Sequence, residues 1–171
     1  MTDLPDSFRA LIITLSDRAS RGEYEDLSGP KAKQMLEDYF NDINWDLETT
    51  YIVIPDDKAQ LRQLLNEYSR KYNIIITTGG TGIGPGDITV DVVRDLINIE
   101  IPGIMDHIRL KYGKDKPNAL LSRSVAGIIG MCLVYTLPGS VKAVREYLSE
   151  IFLSLQHTVY MQYGIDVHRK H

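Results

Sequence analysis

A three-layer α/β/α domain with a largely parallel sheet is the fold this sequence predicts. Short apolar runs rich in β-branched residues alternate with segments of helical periodicity, the pattern of strand–helix–strand crossovers with both sheet faces covered. One run, IIITT, ends directly in GGTGIGPGD and then restarts as ITVDVV, as when a buried strand hands a backbone loop to a helix. A hydrophobic content of 43% in 171 residues suits one domain with a full core. The expected domain spans residues 1–171, with about residues 8–160 as core and a flexible polar tail from Gly164.

The elements follow in order. Residues 9–15 (RALIITL) read as a buried strand, and residues 16–27 as a polar loop. Ser28-Gly29-Pro30 looks like an N-cap and first turn, opening a helix with Ala32, Met35, Tyr39 and Phe40 on one face. Residues 47–54 (LETTYIVI) form a second strand ending at Pro55. Asp56 and Asp57 open a helix that carries Leu61, Leu64, Leu65 and Tyr68 at helical spacing. Residues 73–78 make the third strand. Asp87 or Thr89 would cap the next helix, through about Asn98. Residues 100–103 (EIPG) read as a turn and 104–112 as a short helix, while 118–124 is ambiguous. Residues 127–130 and 131–137 suggest a hairpin or two short strands. Pro138-Gly139-Ser140 then starts a long helix with Val141, Val144, Leu148, Ile151, Phe152 and Leu155 on one stripe.

Ligands of open α/β sheets bind beyond the carboxyl ends of the strands. If these strands are parallel, Ser16-Asp17-Arg18, Pro55-Asp56-Asp57, residues 78–87 and residues 137–140 share one edge. The glycine loop there suits an anion, because glycine lets backbone N–H groups approach a phosphate and the following helix adds free donors. Neither familiar phosphate fingerprint fits. Gly79 and Gly84 have Walker A spacing, but Pro85 stands where the lysine must be. The dinucleotide pattern from Gly80 and Gly82 also meets Pro85, and from Gly82 and Gly84 it meets Asp87. What remains is a glycine loop with an acidic exit, suited to a phosphate accompanied by a metal ion.

A net charge of −4 argues against nucleic acid as partner. The first ten residues have neither a basic nor an apolar region of a secretory signal, and the longest apolar stretch, residues 128–137, is too short to span a bilayer. The single cysteine, Cys132, reads as a small buried hydrophobe, and a cytoplasmic location is expected.

No Ser-His-Asp or Cys-His arrangement stands out. His107 has the spacing of a structural boundary residue, and His168 and His171 lie in a tail more readily solvated than metal-binding. The strand-end carboxylates Asp56 and Asp87, with Asp17 as a third, are better candidates: Mg²⁺ takes one or two carboxylates plus substrate phosphates and water. Their structural alternative is service as helix N-caps. Ser122-Arg123 could hold a phosphate or carboxylate through the guanidinium, or form an ion pair within the fold. Pro138-Gly139 is either a plain turn or a second anion-binding helix start.

These residues resemble the MogA/MoaB-like molybdenum cofactor proteins. The resemblance rests on LSDRASRGEYEDLSGP (15–30), IPDD (54–57), TTGGTGIGPGDIT (77–89), EIPGI (100–104), NALLSRSVAGIIG (118–130) and LPGSVKAV (137–144). It implies a molybdopterin-binding-domain-like fold assembled as a homotrimer; separately, an apolar helix face left over after core formation could serve a subunit contact. The implied reaction is molybdopterin adenylyltransferase, with ATP and molybdopterin as substrates and Mg²⁺ required, and a downstream molybdate-insertion enzyme as partner. The alternative is a non-catalytic molybdopterin-binding protein of the same fold. Matched by position, Asp56 and Asp87 are the implied catalytic carboxylates, acting with Mg²⁺ through substrate phosphates. Gly79, Gly80, Thr81 and Gly82 are the implied nucleotide-phosphate loop. Ser122 and Arg123 match a pterin-facing pair, Pro138, Gly139 and Ser140 a second ligand loop, and Ser16 and Asp17 lie on the same edge. The chain departs from the family at Gly86, where many members carry a basic residue, and at Ser140-Val141 after the second loop's glycine.

Overall fold

The computed structural model describes residues 4–166. Across them the sheet has strands β1 (Phe8–Leu15), β2 (Leu47–Ile54), β3 (Ile74–Thr78), β4 (Ile99–Glu100), β5 (Ala126–Ile129) and β6 (Cys132–Leu137). Their spatial order is β2-β1-β3-β6-β5-β4. β1 runs parallel to β2 and β3, and β3 parallel to β6, while β5 and β4 are antiparallel additions at one side. The largely parallel sheet is therefore present. The suggested hairpin is also present, with Ile129 paired to Cys132 across the two-residue turn Gly130-Met131.

Helices α1 (Asp17–Ser20), α2 (Ser28–Asp42), α3 (Lys58–Tyr68), α4 (Thr89–Arg94), α5 (Pro102–Gly113) and α6 (Val141–Gln162) complete the chain, with a 3₁₀ turn at Pro117–Leu121. Side chains alternate faces along a strand, and β1 shows the result. Phe8, Ala10 and Ile12 enter a core shared with α2, α5 and α6, whereas Leu11, Ile13 and Leu15 enter a second core with α3 and α4. Two cores on opposite faces of one sheet make the three layers. Cys132 is fully buried, and burial pushes its thiol up to about 12, as an inert core residue requires. Among the described residues no helix is long and apolar enough to cross a membrane.

The chain leaves β1 for β2 on one side and returns to β3 on the other. This reversal opens a crevice between the β1 and β3 ends, the usual place for a ligand in such sheets.

Several local expectations are corrected. Ser28 is the first residue of α2 and Leu27 occupies the cap without a side-chain bond, because the Ser28 hydroxyl is drawn to Asp26 and Thr78. Asp87 and Thr89 do not cap α4; Ile88 holds that position, and α4 stops at Arg94 rather than near Asn98. Residues 99–100 pair with β5, and the helix expected from 104 already begins at Pro102, whose ring suits a first helical turn. The polar loop after β1 contains α1. The α2 stripe also has a fuller core face than the spacing suggested. Ala32, Leu36 and Phe40 are buried one turn apart, with Met35 and Tyr39 flanking them half-buried. His168 and His171 lie outside the described residues.

Leu36→Ala should therefore lower the unfolding free energy by about 3 kcal/mol, and Met35→Ala by less than half as much. Urea unfolding checks both, and equal losses would contradict this packing.

Candidate functional site

The four strand-end loops do share one edge. The smaller of two adjoining cavities, about 300 Å³, is lined by Ser16, Asp17, Asp56, Gly80, Gly86, Asp87 and Gly139 among others. The larger, about 550 Å³, is lined by Gly80, Thr81, Gly82, Asp87, Ser122, Pro138, Gly139 and Ser140, together with side chains of α5 and α6. Gly80, Asp87 and Gly139 border both. Asp87 thus stands at the junction.

Backbone packing builds this edge. Gly79 has φ 94°, and a Cβ there would lie 2.4 Å from the Leu15 carbonyl oxygen, so no other residue fits without movement. Its N–H donates to the Leu137 carbonyl at 3.0 Å, tying β3 to β6 just where the loop leaves. Thr89 Oγ1 donates to the Gly79 carbonyl at 2.9 Å, and the Thr89 N–H to the Gly80 carbonyl at 3.1 Å. Thr89 anchors the loop to α4. Gly86 is different: a Cβ there would meet nothing within 4 Å, so the fold leaves room for the side chain it lacks.

Asp56 is not an N-cap; Asp57 caps α3 by accepting the Gln60 N–H at 2.8 Å. Asp56 and Asp17 instead exchange bonds across the β1 and β2 ends. The Asp17 N–H donates to Asp56 Oδ2 at 3.1 Å, and the Asp56 N–H to Asp17 Oδ1 at 3.0 Å. Partial burial, then the charges of Asp17 and Asp87, raise the Asp56 carboxyl above its ordinary value despite the bond from Asp17. A cation would relieve that crowding. Asp87 accepts the Gly84 N–H at 2.8 Å, which folds the loop back on its acidic exit. Ser16 caps α1 through the Ala19 N–H at 3.2 Å and meets the Tyr24 hydroxyl at 2.9 Å. Among the described residues, no three His, Cys, Asp or Glu side chains converge on a preformed metal site.

The strand-end pattern missed Asp26. Its carboxylate accepts from Thr14 Oγ1 at 2.6 Å, the Tyr51 hydroxyl at 2.6 Å, Ser28 Oγ at 2.7 Å, and the N–H groups of Ser28 at 2.9 Å and Gly29 at 3.1 Å. Thr14 and Ser28 each also bond Thr78 Oγ1 at 3.0 Å. Asp26 therefore locks the end of β1, the start of α2 and the last residue of β3 behind the smaller cavity. Gly29 is needed for this closure, since a Cβ would come within 2.2 Å of the Tyr51 ring. Burial pushes the Asp26 carboxyl up, but the bonds from Thr14, Tyr51 and Ser28 outweigh it and hold the group below its ordinary value.

Ser122 and Arg123 part company. Ser122 lines the larger cavity and bonds Ser124 Oγ at 2.9 Å. The Arg123 guanidinium turns to the protein: Nε donates to the Gly82 carbonyl at 2.6 Å, Nη2 to the Asp87 carbonyl at 2.8 Å, and Nη1 to Asp91 Oδ1 at 2.7 Å. Its backbone N–H adds a bond to the Thr81 carbonyl at 2.8 Å. In this arrangement Arg123 clamps the glycine loop to α4. Ser140 caps α6 through the Ala143 N–H at 3.2 Å. Lys116 and Lys142 at the larger cavity also escaped the sequence reading, because neither sits after a strand. His107 is, as expected, a boundary residue, bonded to Glu150 at 3.1 Å.

With this geometry in place, the comparisons with known proteins are concordant. The family described as "Probable molybdopterin binding domain" matches residues 11–157. The molybdopterin adenylyltransferase of Helicobacter pylori strain J99 is 35% identical over 150 residues, covering 86% of this chain and 84% of that protein. Gephyrin of Dictyostelium discoideum is 36% identical over 155 residues, but the chain spans only 21% of its length. The crystal structure of the molybdopterin biosynthesis enzyme MoaB from Thermus thermophilus superposes with a TM-score of 0.80 at 32% identity, over 92% of this chain and 97% of that one.

The depressed Asp26 carboxyl gives a pH prediction. Its folded form holds a proton less tightly than its unfolded form. Its stabilisation is therefore complete above about pH 5 and is lost as pH falls through the folded value. Asp26→Asn should lower stability at pH 7 by about 2 kcal/mol. Wild type should also lose more stability than the variant between about pH 6 and pH 3. Parallel acid curves in urea unfolding would contradict the lock.

Proposed function

The chain belongs to the family of probable molybdopterin binding domains, and we propose that within it the protein is a molybdopterin adenylyltransferase acting in molybdenum cofactor biosynthesis. In this reaction a terminal phosphate oxygen of molybdopterin attacks the α-phosphorus of ATP. The new P–O bond forms as the bond to the departing pyrophosphate breaks, giving adenylylated molybdopterin. The observation that carries this reading is the pair of adjoining cavities with Gly80, Asp87 and Gly139 in common. Two substrates seated side by side bring their phosphates together at the shared border.

The residues suit that chemistry. The nucleophile is already ionised, so no general base is needed, and catalysis rests on positioning and charge stabilisation. The N–H groups of the glycine loop bind and orient phosphate oxygens, and Arg123 and Thr89 hold the loop in shape. Mg²⁺ fits the donor set: Asp56 and Asp87 would hold it, with the remaining ligands from phosphates and water. Partial burial, and then the charges of Asp17 and Asp87, raise the Asp56 carboxyl, and a counter-charge there would offset both. When bound, the ion supplies charge neutralisation and polarises the phosphoryl group. Assembly as a homotrimer, a cytoplasmic location and delivery to a molybdate-insertion enzyme belong to the same proposal. The exposed Leu153 and Met161 on α6 supply apolar surface for a subunit contact.

Pyrophosphate release with molybdopterin, ATP and Mg²⁺ tests the reading. Wild type should turn over, and Asp87→Ala should bind molybdopterin yet release pyrophosphate at least about 100-fold more slowly. Wild-type turnover by the variant would remove the role of Asp87, and no release by wild type would leave a molybdopterin-binding protein without catalysis.

A further inference from the structure

Arg18 follows Ser16 and Asp17 just beyond β1, and nothing in the proposed reaction has yet used it. Among the described residues that line the smaller cavity, Arg18 alone is cationic, while Asp17, Asp56 and Asp87 bring three carboxylates. Such a cavity repels a phosphate unless positive charge offsets the acids. Arg123 does not supply it, because its guanidinium is occupied by the Gly82 and Asp87 carbonyls and by Asp91. Gly86 lines the same cavity and has no charge to give.

Arg18 is held in a way that leaves its donors free. The guanidinium carbon lies 5.1 Å from the centroid of the Tyr24 ring, a cation–π contact made through the face of the group and not through its N–H bonds. Tyr24 lines the cavity too. Its hydroxyl meets Ser16 Oγ at 2.9 Å, and Ser16 is fixed by the Ala19 N–H at 3.2 Å. One turn on, Arg21 is paired with Glu23 at 2.7 Å, whereas Arg18 makes no ion pair among the described residues. Its five N–H donors therefore remain for a ligand.

We propose that Arg18 binds phosphate oxygens of a substrate in the smaller cavity, with the Tyr24 ring as the platform that sets its guanidinium. It thereby supplies from the β1 loop the positive charge that Gly86 lacks. The inference rests on the adenylyltransferase reading and adds to it a residue pair that the reading does not need. ATP and molybdopterin both carry phosphate, so each is tested alone. The fold also allows the charge to be moved, since a Cβ at Gly86 would meet nothing within 4 Å. An arginine side chain there has room to stand in for Arg18.

Calorimetric titration of wild type, Arg18→Ala, Tyr24→Ala and the double variant Arg18→Ala/Gly86→Arg with ATP–Mg²⁺, and separately with molybdopterin, tests this. Arg18→Ala should weaken one of the two ligands by about 5- to 20-fold, flatten the salt dependence of that ligand and leave the other unchanged. Tyr24→Ala should weaken the same ligand by a smaller factor, because the guanidinium must then be ordered on binding. The double variant should recover most of the lost affinity. Arg18 is exposed, so Arg18→Ala should melt at the wild-type temperature. Wild-type affinity for both ligands in Arg18→Ala, or a loss that Gly86→Arg leaves in place, would overturn the inference and leave the proposed function standing. Failure of the wild-type protein to bind either ligand would overturn both.

Discussion

At Gly79 the backbone passes between the ends of β1 and β6 with no space for a side chain. Its N–H is bonded to the Leu137 carbonyl, and its α-carbon faces the Leu15 carbonyl so closely that a Cβ would sit at 2.4 Å. The geometry beyond the sheet follows from this fit. It brings the loops after β1, β3 and β6 within reach of one another and turns the glycine segment back toward α4, where Thr89 and Arg123 fasten it. A loop that must present N–H groups to phosphates gains from being held before the ligand arrives, because ordering it then costs little.

The carboxylates divide by environment. Asp26 is surrounded by donors from β1, β2 and α2 and stays ionised as part of the scaffold. Asp17, Asp56 and Asp87 border the open cavity, and partial burial followed by the neighbouring charges of Asp17 and Asp87 makes Asp56 harder to ionise. The first arrangement spends its hydrogen-bonding capacity on the fold, whereas the second keeps it for a ligand or a cation.

Much of this was legible in the chain itself. The strand runs and the long α6 stripe carry strong periodicity, and the parallel order follows from their alternation with helices, so the shared edge was foreseeable. Short elements were not: β4 has two residues and α1 four, too few for a period to show. Caps misled because Ser28, Asp56, Asp87 and Thr89 have cap-forming chemistry but bond other partners instead. Asp26 was hidden because Thr14 and Tyr51 converge on it only in three dimensions. Arg123 was visible as a residue, but the direction of its guanidinium was not.

The proposed transfer requires the reacting phosphates to meet at Asp87, where the two cavities join. A crystal structure with adenylylated molybdopterin bound tests it most directly. The two ring systems should lie in the two cavities, with the phosphates between them bonded to N–H groups of the loop from Gly79 to Gly82 and adjacent to Asp87. Phosphates seated away from that loop, or both rings in one cavity, would contradict it.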